Sequence, residues 1–281
     1  MRALTFLARR FVAGETPDRA IAAGRALAAR GIKPSFDLLG EDVHDEGTAR
    51  RIAAANVELL RMIPPEVERN VSVKLTNLGL DVSQELCLEL TASVLDAARA
   101  AGGFVRIDME GSQHTQATLD VFRALRGRHE HVGIVLQAML RRTREDVEEC
   151  VRKQDRVRLC KGAYQEPAEI AFRNMGEVRK SYRECAELLL EKGNYPAIAT
   201  HDETLVRHAT SFARERGIAS SRFEFQMLYG LRRGRWDELV KAGYNVRIYV
   251  PYGTHWLPYF YRRLRERKEN VLFVLKGLFG G

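Results

Sequence analysis

The sequence is poor in cysteine and contains none of the short motifs that mark common disulfide or metal proteins. Its four cysteines form no Cys-x-x-Cys pair and no Cys/His cluster with zinc-finger spacing. There is also no H-E-x-x-H motif, which would bind zinc from one face of a helix. The cysteines are Cys87, Cys150, Cys160 and Cys185. We therefore expect reduced thiols, as in a cytoplasmic protein, and no metal site.

The sequence also lacks an uninterrupted apolar run long enough to span a bilayer. Arg9 and Arg10 interrupt the apolar run within residues 1–14, so we find no typical signal peptide and expect an amphipathic helix there. With 45% hydrophobic and 29% charged residues, the composition is that of an ordinary globular protein. It excludes intrinsic disorder and collagen-like repeats.

Two classes of nucleotide site and a nucleic-acid interface find no support in the sequence. No G-x-x-x-x-G-K-[ST] loop is present, and no G-x-G-x-x-G follows a strand. The net charge of +8 permits an anionic partner. However, the basic residues are scattered along predicted helices beside acidic ones, rather than gathered in a patch with exposed aromatic residues. We therefore expect no nucleic-acid partner.

One pattern recurs along the whole chain: an amphipathic stretch, often closed by a glycine, and then a short β-rich run. Glycine after a helix is typical of its C-terminal cap, because glycine adopts the left-handed conformation without penalty. The eight β-rich runs are residues 35–40, 71–79, 104–110, 132–140, 156–164, 196–202, 223–228 and 245–253. Strands that alternate with helices predict a parallel sheet with right-handed crossovers.

Eight such units favour a closed (β/α)8 barrel over an open sheet. We expect residues 1–34 to form a short N-terminal helical segment and residues 35–281 to form the barrel, with no linker inside it. Thr143 and Asp146 have the spacing of a capping box and predict the start of the helix before the fifth strand.

The active site of such a barrel lies at the C-terminal ends of its strands, and the predicted strand ends are rich in polar residues. They are Lys74, Asn77, Arg106, Asp108, Glu110, Gln137, Arg158, Lys161, Tyr164, Thr200, His201, Asp202, Glu224, Gln226, Arg247, Tyr249 and Tyr252. Because alternate residues of a strand face opposite ways, Arg106, Asp108 and Glu110 share one face. Charges inside a barrel are costly unless they are paired or functional.

Several of these residues have a structural alternative. Lys74 and Asp108 can form a purely structural ion pair. Lys161 can be a lysine at the rim of the barrel that extends its charge into water, or it can be a Schiff-base nucleophile of the aldolase type. His201 and Asp202 can form a structural pair, or His201 can act as a base or a ligand donor. The run 262–268 is typical of a solvated charged helix face, yet its place after the eighth strand also suits a carboxylate or phosphate site.

The motifs at these strand ends resemble those of the proline dehydrogenases, specifically the monofunctional bacterial type. The resemblance rests on VSVKLTNLG, VRIDMEG, VRLCKGAY, ATHD, FEFQMLYG and RIYVPYGTHWLPYFYRRLRERKEN, in this order from about Ser35 to Asn270. It implies a (β/α)8 barrel that binds FAD at its C-terminal mouth without a Rossmann domain. It also implies oxidation of L-proline to Δ1-pyrroline-5-carboxylate by hydride transfer from C5 to the flavin.

The resemblance also implies roles for individual residues. Lys74, Asp108, Arg158 and Tyr249 are assigned to catalysis, with Asp108 holding Lys74 and Arg158 stabilising negative charge on the flavin. The residues assigned to the substrate are Lys74, Leu228, Tyr249, Tyr259, Arg262 and Arg263. Those assigned to FAD are Gln137, Arg158, Lys161, Gly162, Ala163, Thr200, His201, Gln226 and Glu266.

Tyrosine at position 249 resembles the proline-specific enzymes, whereas hydroxyproline-specific relatives have a smaller residue there. Gln165 and Asp202 stand where bifunctional relatives carry tryptophan and asparagine, which favours the monofunctional branch. The resemblance further implies a membrane quinone as electron acceptor, with loose inner-membrane contact suited to the apolar residues 271–281. A separate pyrroline-5-carboxylate dehydrogenase would then act on the product.

Two rival functions remain at this point. A Schiff-base aldolase would use Lys161 and need no flavin, and a basic binding protein would turn over no amine.

Overall fold

The computed structural model describes residues 11–40, 43–257 and 259. Eight parallel strands form a closed barrel in sequence order, which confirms the predicted (β/α)8 fold. The strands are β1 (Lys33–Leu38), β2 (Asn70–Val73), β3 (Phe104–Ile107), β4 (Val132–Gln137), β5 (Arg156–Cys160), β6 (Ala197–Ala199), β7 (Glu224–Leu228) and β8 (Asn245–Tyr252). The barrel closes between β8 and β1, where Tyr249 lies beside Ser35.

Eight α-helices alternate with these strands in the described part of the chain. They are α1 (Pro17–Ala28), α2 (Glu46–Met62), α3 (Gln84–Ala100), α4 (Ser112–Arg126), α5 (Thr143–Arg152), α6 (Met175–Lys192), α7 (Glu203–Glu215) and α8 (Arg233–Lys241). The main hydrophobic core lies between the outward faces of the strands and the helices. Gly24 of α1 shows how close this packing is, because a Cβ atom there would lie 2.6 Å from the ring of Phe36 in β1.

Several boundaries differ from the sequence-based expectation. Strand β1 begins at Lys33, before the predicted Ser35, and most of the predicted strands extend too far at their C-terminal ends. β3 ends at Ile107, so Asp108 and Glu110 lie just beyond it. The predicted runs extended past the strands partly because some of the polar residues there, such as Lys74, Asn77 and Glu110, are also buried, and burial gives a similar pattern in a strand and in a buried loop.

The predicted capping box at the start of α5 is wrong. Arg142 occupies the N-cap position without a side-chain cap, and the Thr143 hydroxyl instead donates to the carbonyl of Gln137 at the end of β4. Asp146 pairs with Arg142. The Thr143 side chain therefore ties the helix to the barrel rather than closing the helix end.

No disulfide links the four cysteines, all of which lie in the described residues. Among the helices of that part of the chain, none is both long and apolar enough to cross a membrane.

Candidate active site

Asp108 connects the side chains at the centre of the C-terminal mouth. Its Oδ1 accepts a hydrogen bond from Arg158 Nη1 at 2.7 Å, and its Oδ2 accepts one from the Tyr249 hydroxyl at 2.7 Å. Arg158 and Tyr249 come from β5 and β8, and the guanidinium of Arg158 lies 5.3 Å from the centre of the Tyr249 ring. Three of the four residues predicted to be catalytic are therefore in direct contact.

Lys74, the fourth of them, is held chiefly by a residue that the sequence analysis missed. Its ammonium group lies 3.0 Å from Asp37 Oδ1, 3.3 Å from the Tyr249 hydroxyl and 3.8 Å from Asp108 Oδ2. We expected Asp108 to hold Lys74, but Asp108 lies farther from the lysine than Asp37 does. Asp37 is 1% exposed. The signal that could have found it is its place in β1, two residues after Ser35 on the inward face.

We call Asp37, Lys74, Asp108, Arg158 and Tyr249 the mouth network. Asp37 Oδ2 is buried and has no hydrogen-bond partner among the described residues. A buried carboxylate oxygen that lacks a donor is costly, because its lost hydration is not replaced. The mouth network is therefore not fully satisfied by the described protein groups.

Burial and neighbouring charges set the protonation states in the mouth network. Burial opposes the charged form of Lys74, but the carboxylates of Asp37 and Asp108 outweigh it and raise the pKa of the lysine. Burial, assisted by Asp108, raises the pKa of Tyr249 well above its usual value. Burial also raises the pKa of Asp37, against the opposing effect of Lys74. Lys74 thus stays an ammonium and Tyr249 stays a neutral phenol at neutral pH.

Arg158 continues the polar contacts down the barrel axis. Its Nε donates to Gln226 Oε1 at 2.5 Å, and its Nη2 donates to Ser72 Oγ at 3.1 Å. The amide nitrogen of Gln226 in turn donates to Glu224 Oε1 at 2.5 Å. Gln226 therefore connects Arg158 to a second group of charges, deeper in the barrel.

Three residues that we predicted at the mouth lie elsewhere in the barrel. Glu224 and Arg247 are near the N-terminal ends of β7 and β8, where Arg247 Nε donates to Glu224 Oε1 at 2.9 Å and Arg247 Nη2 donates to Glu68 Oε1 at 2.6 Å. We call Glu68, Glu224 and Arg247 the base network. Arg106, in β3, donates to the backbone carbonyl of Arg156, the first residue of β5. The alternation of a strand gives the face of a residue but not its depth, so the pattern could not separate these residues from the mouth.

A second charged group lies at the ends of β5 and β6. Asp202 Oδ2 accepts from Lys161 Nζ at 3.2 Å and from Arg179 Nε at 2.8 Å, while Asp202 Oδ1 caps α7 through the Thr204 N–H. Burial opposes the charged form of Asp202, yet these cations lower its pKa to about 2. The ion pair with Asp202 gives Lys161 a structural partner at the rim of the barrel.

The remaining residues predicted to bind FAD follow neighbouring strands around the same side of the mouth. The amide nitrogen of Gln137 donates to the Glu110 carbonyl at 2.8 Å, and Thr200 is buried at the end of β6. His201 Nε2 accepts a hydrogen bond from the Leu228 N–H at 3.0 Å. In a neutral imidazole with this hydrogen bond, the ring proton is on Nδ1.

Gly162 and Ala163, also predicted to bind FAD, follow β5. Gly162 has a φ of +105°, and a Cβ atom there would lie 2.4 Å from Met139 Sδ. Any other residue at this turn would be strained by the left-handed backbone and would require the Met139 side chain to move. Ala163 is exposed.

The apolar residues predicted to wall the substrate do come together. Leu228 and Tyr259 belong to a small cluster that is distinct from the main core. Its other members are Phe11, Val12, Leu39, Leu231 and Trp256. Arg262, Arg263 and Glu266 lie outside the described residues.

Polar and charged groups lie at the C-terminal mouth of a closed (β/α)8 barrel. Because enzymes of this fold place their active sites there, the arrangement indicates a (β/α)8-barrel enzyme. A sequence model of the family described as proline dehydrogenase matches residues 20–276. The chain belongs to the proline dehydrogenase family, so its activity is that of a proline dehydrogenase.

Individual relatives agree with this assignment. The chain is 40% identical over 272 residues to proline dehydrogenase 1 of Bacillus subtilis subsp. natto, covering 96% of this chain and 90% of the relative. It is 38% identical over 281 residues to proline dehydrogenase of Deinococcus radiodurans, covering 98% and 91%. Among solved structures, proline utilization A from Bdellovibrio bacteriovorus, inactivated by N-propargylglycine, is similar with a TM-score of 0.85 and 29% identity. That match covers 92% of this chain and 32% of the larger protein.

Proposed function

We propose that the chain oxidises L-proline to Δ1-pyrroline-5-carboxylate at the barrel mouth, with FAD as the cofactor. The observation that carries this proposal is the mouth network of a family member. In it, a lysine ammonium, an arginine and a tyrosine converge on two carboxylates, from positions within or immediately after five strands.

The substrate carboxylate requires cations, and Lys74 supplies one at the centre of the mouth. We propose that Arg262 and Arg263 supply the others, since a guanidinium offers paired donors that match a carboxylate. Lys74 keeps its charge because Asp37 and Asp108 raise its pKa. An incoming carboxylate would therefore meet an ammonium that is already charged and oriented.

Tyr249, Leu228 and Tyr259 form the proposed wall around the pyrrolidine ring. Tyr249 is fixed by its hydrogen bonds to Asp108 and Lys74, so its ring cannot easily turn aside for a larger substrate. We propose that this rigidity excludes the additional hydroxyl group of hydroxyproline.

Oxidation of the C5–N bond requires a neutral substrate amine, so a proton has to leave before the hydride. Lys74 and Tyr249 both have a raised pKa and already hold their protons at neutral pH. Neither can accept the amine proton, and we assign its removal to solvent.

The proposed FAD site extends over the ends of β4 to β7. The donors there fit the cofactor: Lys161 is a cation suited to a phosphate, Arg158 is a buried guanidinium suited to an electron-rich ring edge, and Gln137, Thr200 and His201 offer polar side chains between them. We assign Gly162, Ala163, Gln226 and Glu266 to the same site. When bound, FAD would accept the hydride that the substrate loses. Arg158 would stay oriented throughout, because Asp108, Gln226 and Ser72 hold it.

We further propose that the electrons leave to a membrane quinone and that a separate pyrroline-5-carboxylate dehydrogenase consumes the product. Three exposed apolar side chains support loose contact of a cytoplasmic enzyme with the inner membrane on the mouth side. Ile170 lies between β5 and α6, Met175 is the first residue of α6, and Leu257 follows β8, with exposures of 41%, 48% and 43%. Apolar side chains that project from one side of a basic protein suit peripheral binding to an anionic membrane.

The visible spectrum of the purified protein, before and after anaerobic addition of L-proline, tests the proposal. We expect a yellow protein that L-proline bleaches and hydroxyproline does not. In a matched pair of variants, Lys161→Met should reduce the flavin content, whereas Lys74→Met should keep the flavin and weaken its reduction by proline. A protein that remains colourless after incubation with FAD would contradict the cofactor assignment, and borohydride trapping at Lys161 would then test the aldolase alternative.

A further inference from the structure

Residues 11–15, which we call the N-terminal strap, are bound to the C-terminal end of β8. The Ala13 N–H donates to the Pro251 carbonyl at 2.9 Å, and the Gly253 N–H donates to the Gly14 carbonyl at 2.9 Å. Both partners lie at the mouth end of β8, beyond Tyr249 of the mouth network. The strap therefore lies at the mouth of the barrel, although it precedes the first helix in the sequence.

The strap contributes buried apolar side chains at this position. Phe11 and Val12 are 2% and 5% exposed and cluster with Leu39, Leu228 and Tyr259. In β7, Glu224 and Gln226 face the barrel interior, and Leu228 has the same inward parity. Leu39 follows Ser35 and Asp37 in the same way beyond the end of β1. The cluster thus continues the inner face of the barrel, which explains why it is separate from the main core.

The strap also contacts the chain that leads to the predicted carboxylate-binding arginines. Glu15 Oε1 accepts a hydrogen bond from Trp256 Nε1 at 3.3 Å, and Trp256 itself packs on the cluster. Tyr259, three positions further along, is 5% exposed in the same cluster. The strap is therefore in contact with the part of the chain between β8 and Arg262.

We propose that the N-terminal strap, through Phe11, is a positioning element of the substrate site that fixes Leu228 and Tyr259 and so sets which ring size the enzyme accepts. This inference rests on the proposed function. Phe11 is buried in the same cluster as the two side chains that we assign to the pyrrolidine wall, so a smaller residue at this position should leave them room to move. A six-membered ring should gain from that room, whereas proline should lose part of its contact.

The test compares Phe11→Ala and the milder Phe11→Leu with Phe122→Leu, a matched phenylalanine of α4 that is 1% exposed in the main core. The measurements are flavin content, kcat and KM for L-proline, and the ratio of kcat/KM for L-proline to that for its six-membered homologue L-pipecolate. A changed contact in an apolar pocket alters discrimination by about 10- to 200-fold. We expect Phe11→Ala to lower the ratio by about tenfold, mainly through KM, with unchanged flavin content.

Phe11→Leu should lower the ratio by less, which provides a result even where Phe11→Ala does not fold. Phe122→Leu should leave the ratio unchanged. If the wild-type enzyme oxidises proline and both Phe11 variants have the same ratio as the wild type, the role of the strap is overturned and the proposed function is not. Loss of flavin in parallel with activity would also overturn it, because the strap would then support the fold or the cofactor. A flavin-loaded wild-type protein that does not oxidise proline would overturn the proposed function together with this inference.

Discussion

The mouth network and the base network both pair buried cations with carboxylates, at opposite ends of one barrel. In the base network, Arg247 binds both Glu224 and Glu68 through short contacts, and its Nη1 donates to the Pro34 carbonyl at 2.8 Å. In the mouth network, Asp37 keeps a buried oxygen without a partner among the described residues, and Lys74 is 3.8 Å from Asp108. Protein groups satisfy the hydrogen bonding of the base network. The mouth network keeps an acceptor that has no partner among the described residues, so it has the capacity to bind a ligand.

The pKa shifts of the carboxyl groups follow this difference. Burial opposes the charge of Glu224, yet Arg247 overrides it and lowers its pKa to about 2. In the mouth, burial prevails over Lys74 and raises the pKa of Asp37. A carboxylate whose pKa falls on folding stabilises the fold, and one whose pKa rises does not. We infer that the base network serves stability and that the mouth network is retained for function.

The largest expected effect is on stability at the base. Arg247→Met removes the cation from the buried Glu224 and should cost about 3–5 kcal/mol in the free energy of unfolding, because an unpaired buried charge remains. Urea denaturation measures this loss. The double variant Arg247→Met/Glu224→Gln should recover part of it, and an equal loss in the double variant would contradict the role of the charge.

At the mouth, Arg158→Gln should act on catalysis instead. We expect kcat to fall by roughly 10²–10³-fold, as for the loss of one preorganised donor at a reacting centre. Steady-state kinetics with L-proline, on protein of checked flavin content, provides the measurement. A loss of activity that is explained entirely by lost flavin would make Arg158 a cofactor ligand only.

Asp37→Asn should have a smaller and more specific effect. Weakening the closest partner of Lys74 should raise the KM for L-proline by about tenfold, which is about 1.4 kcal/mol, with a lesser change in kcat. The matched control is Asp155→Asn, a carboxylate that is 3% exposed and precedes β5 at the base. The assignment fails if both variants change KM equally.

The smallest effect concerns acid stability. The pKa of Glu224 falls on folding from 4.5 to about 2. Its contribution to stability is therefore complete above the unfolded-state value and is lost as the pH falls from there towards the folded-state value. Urea midpoints measured between pH 6 and pH 3 should decline less steeply in Glu224→Gln than in the wild type. Parallel curves would argue against a depressed pKa in the folded protein.

The sequence predicted the barrel because its strands alternate with helices that often end in a glycine. A local pattern of this kind can be recognised without tertiary information. Together with the family resemblance it grouped Lys74, Asp108, Arg158 and Tyr249, each of which lies in or just after a strand. It did not separate Glu224, Arg106 and Arg247 from them, because depth in a barrel depends on strand stagger and tilt, which no single strand reveals. It missed Asp37, although that residue shares the inward face of β1 with Ser35, and it missed Phe11, whose neighbours in space only the fold reveals.

The most direct test of the contrast between the two networks is the rate at which L-proline reduces the bound flavin in one turnover, measured in Asp108→Asn and Glu224→Gln. Both changes replace a carboxylate by an amide of the same shape, one at the mouth and one at the base. We expect Asp108→Asn to slow the reduction by roughly 100-fold, since it releases both Arg158 and Tyr249. Glu224→Gln should remain within about threefold of the wild type while losing stability. Equal slowing in the two variants, or greater slowing in Glu224→Gln, would contradict the account.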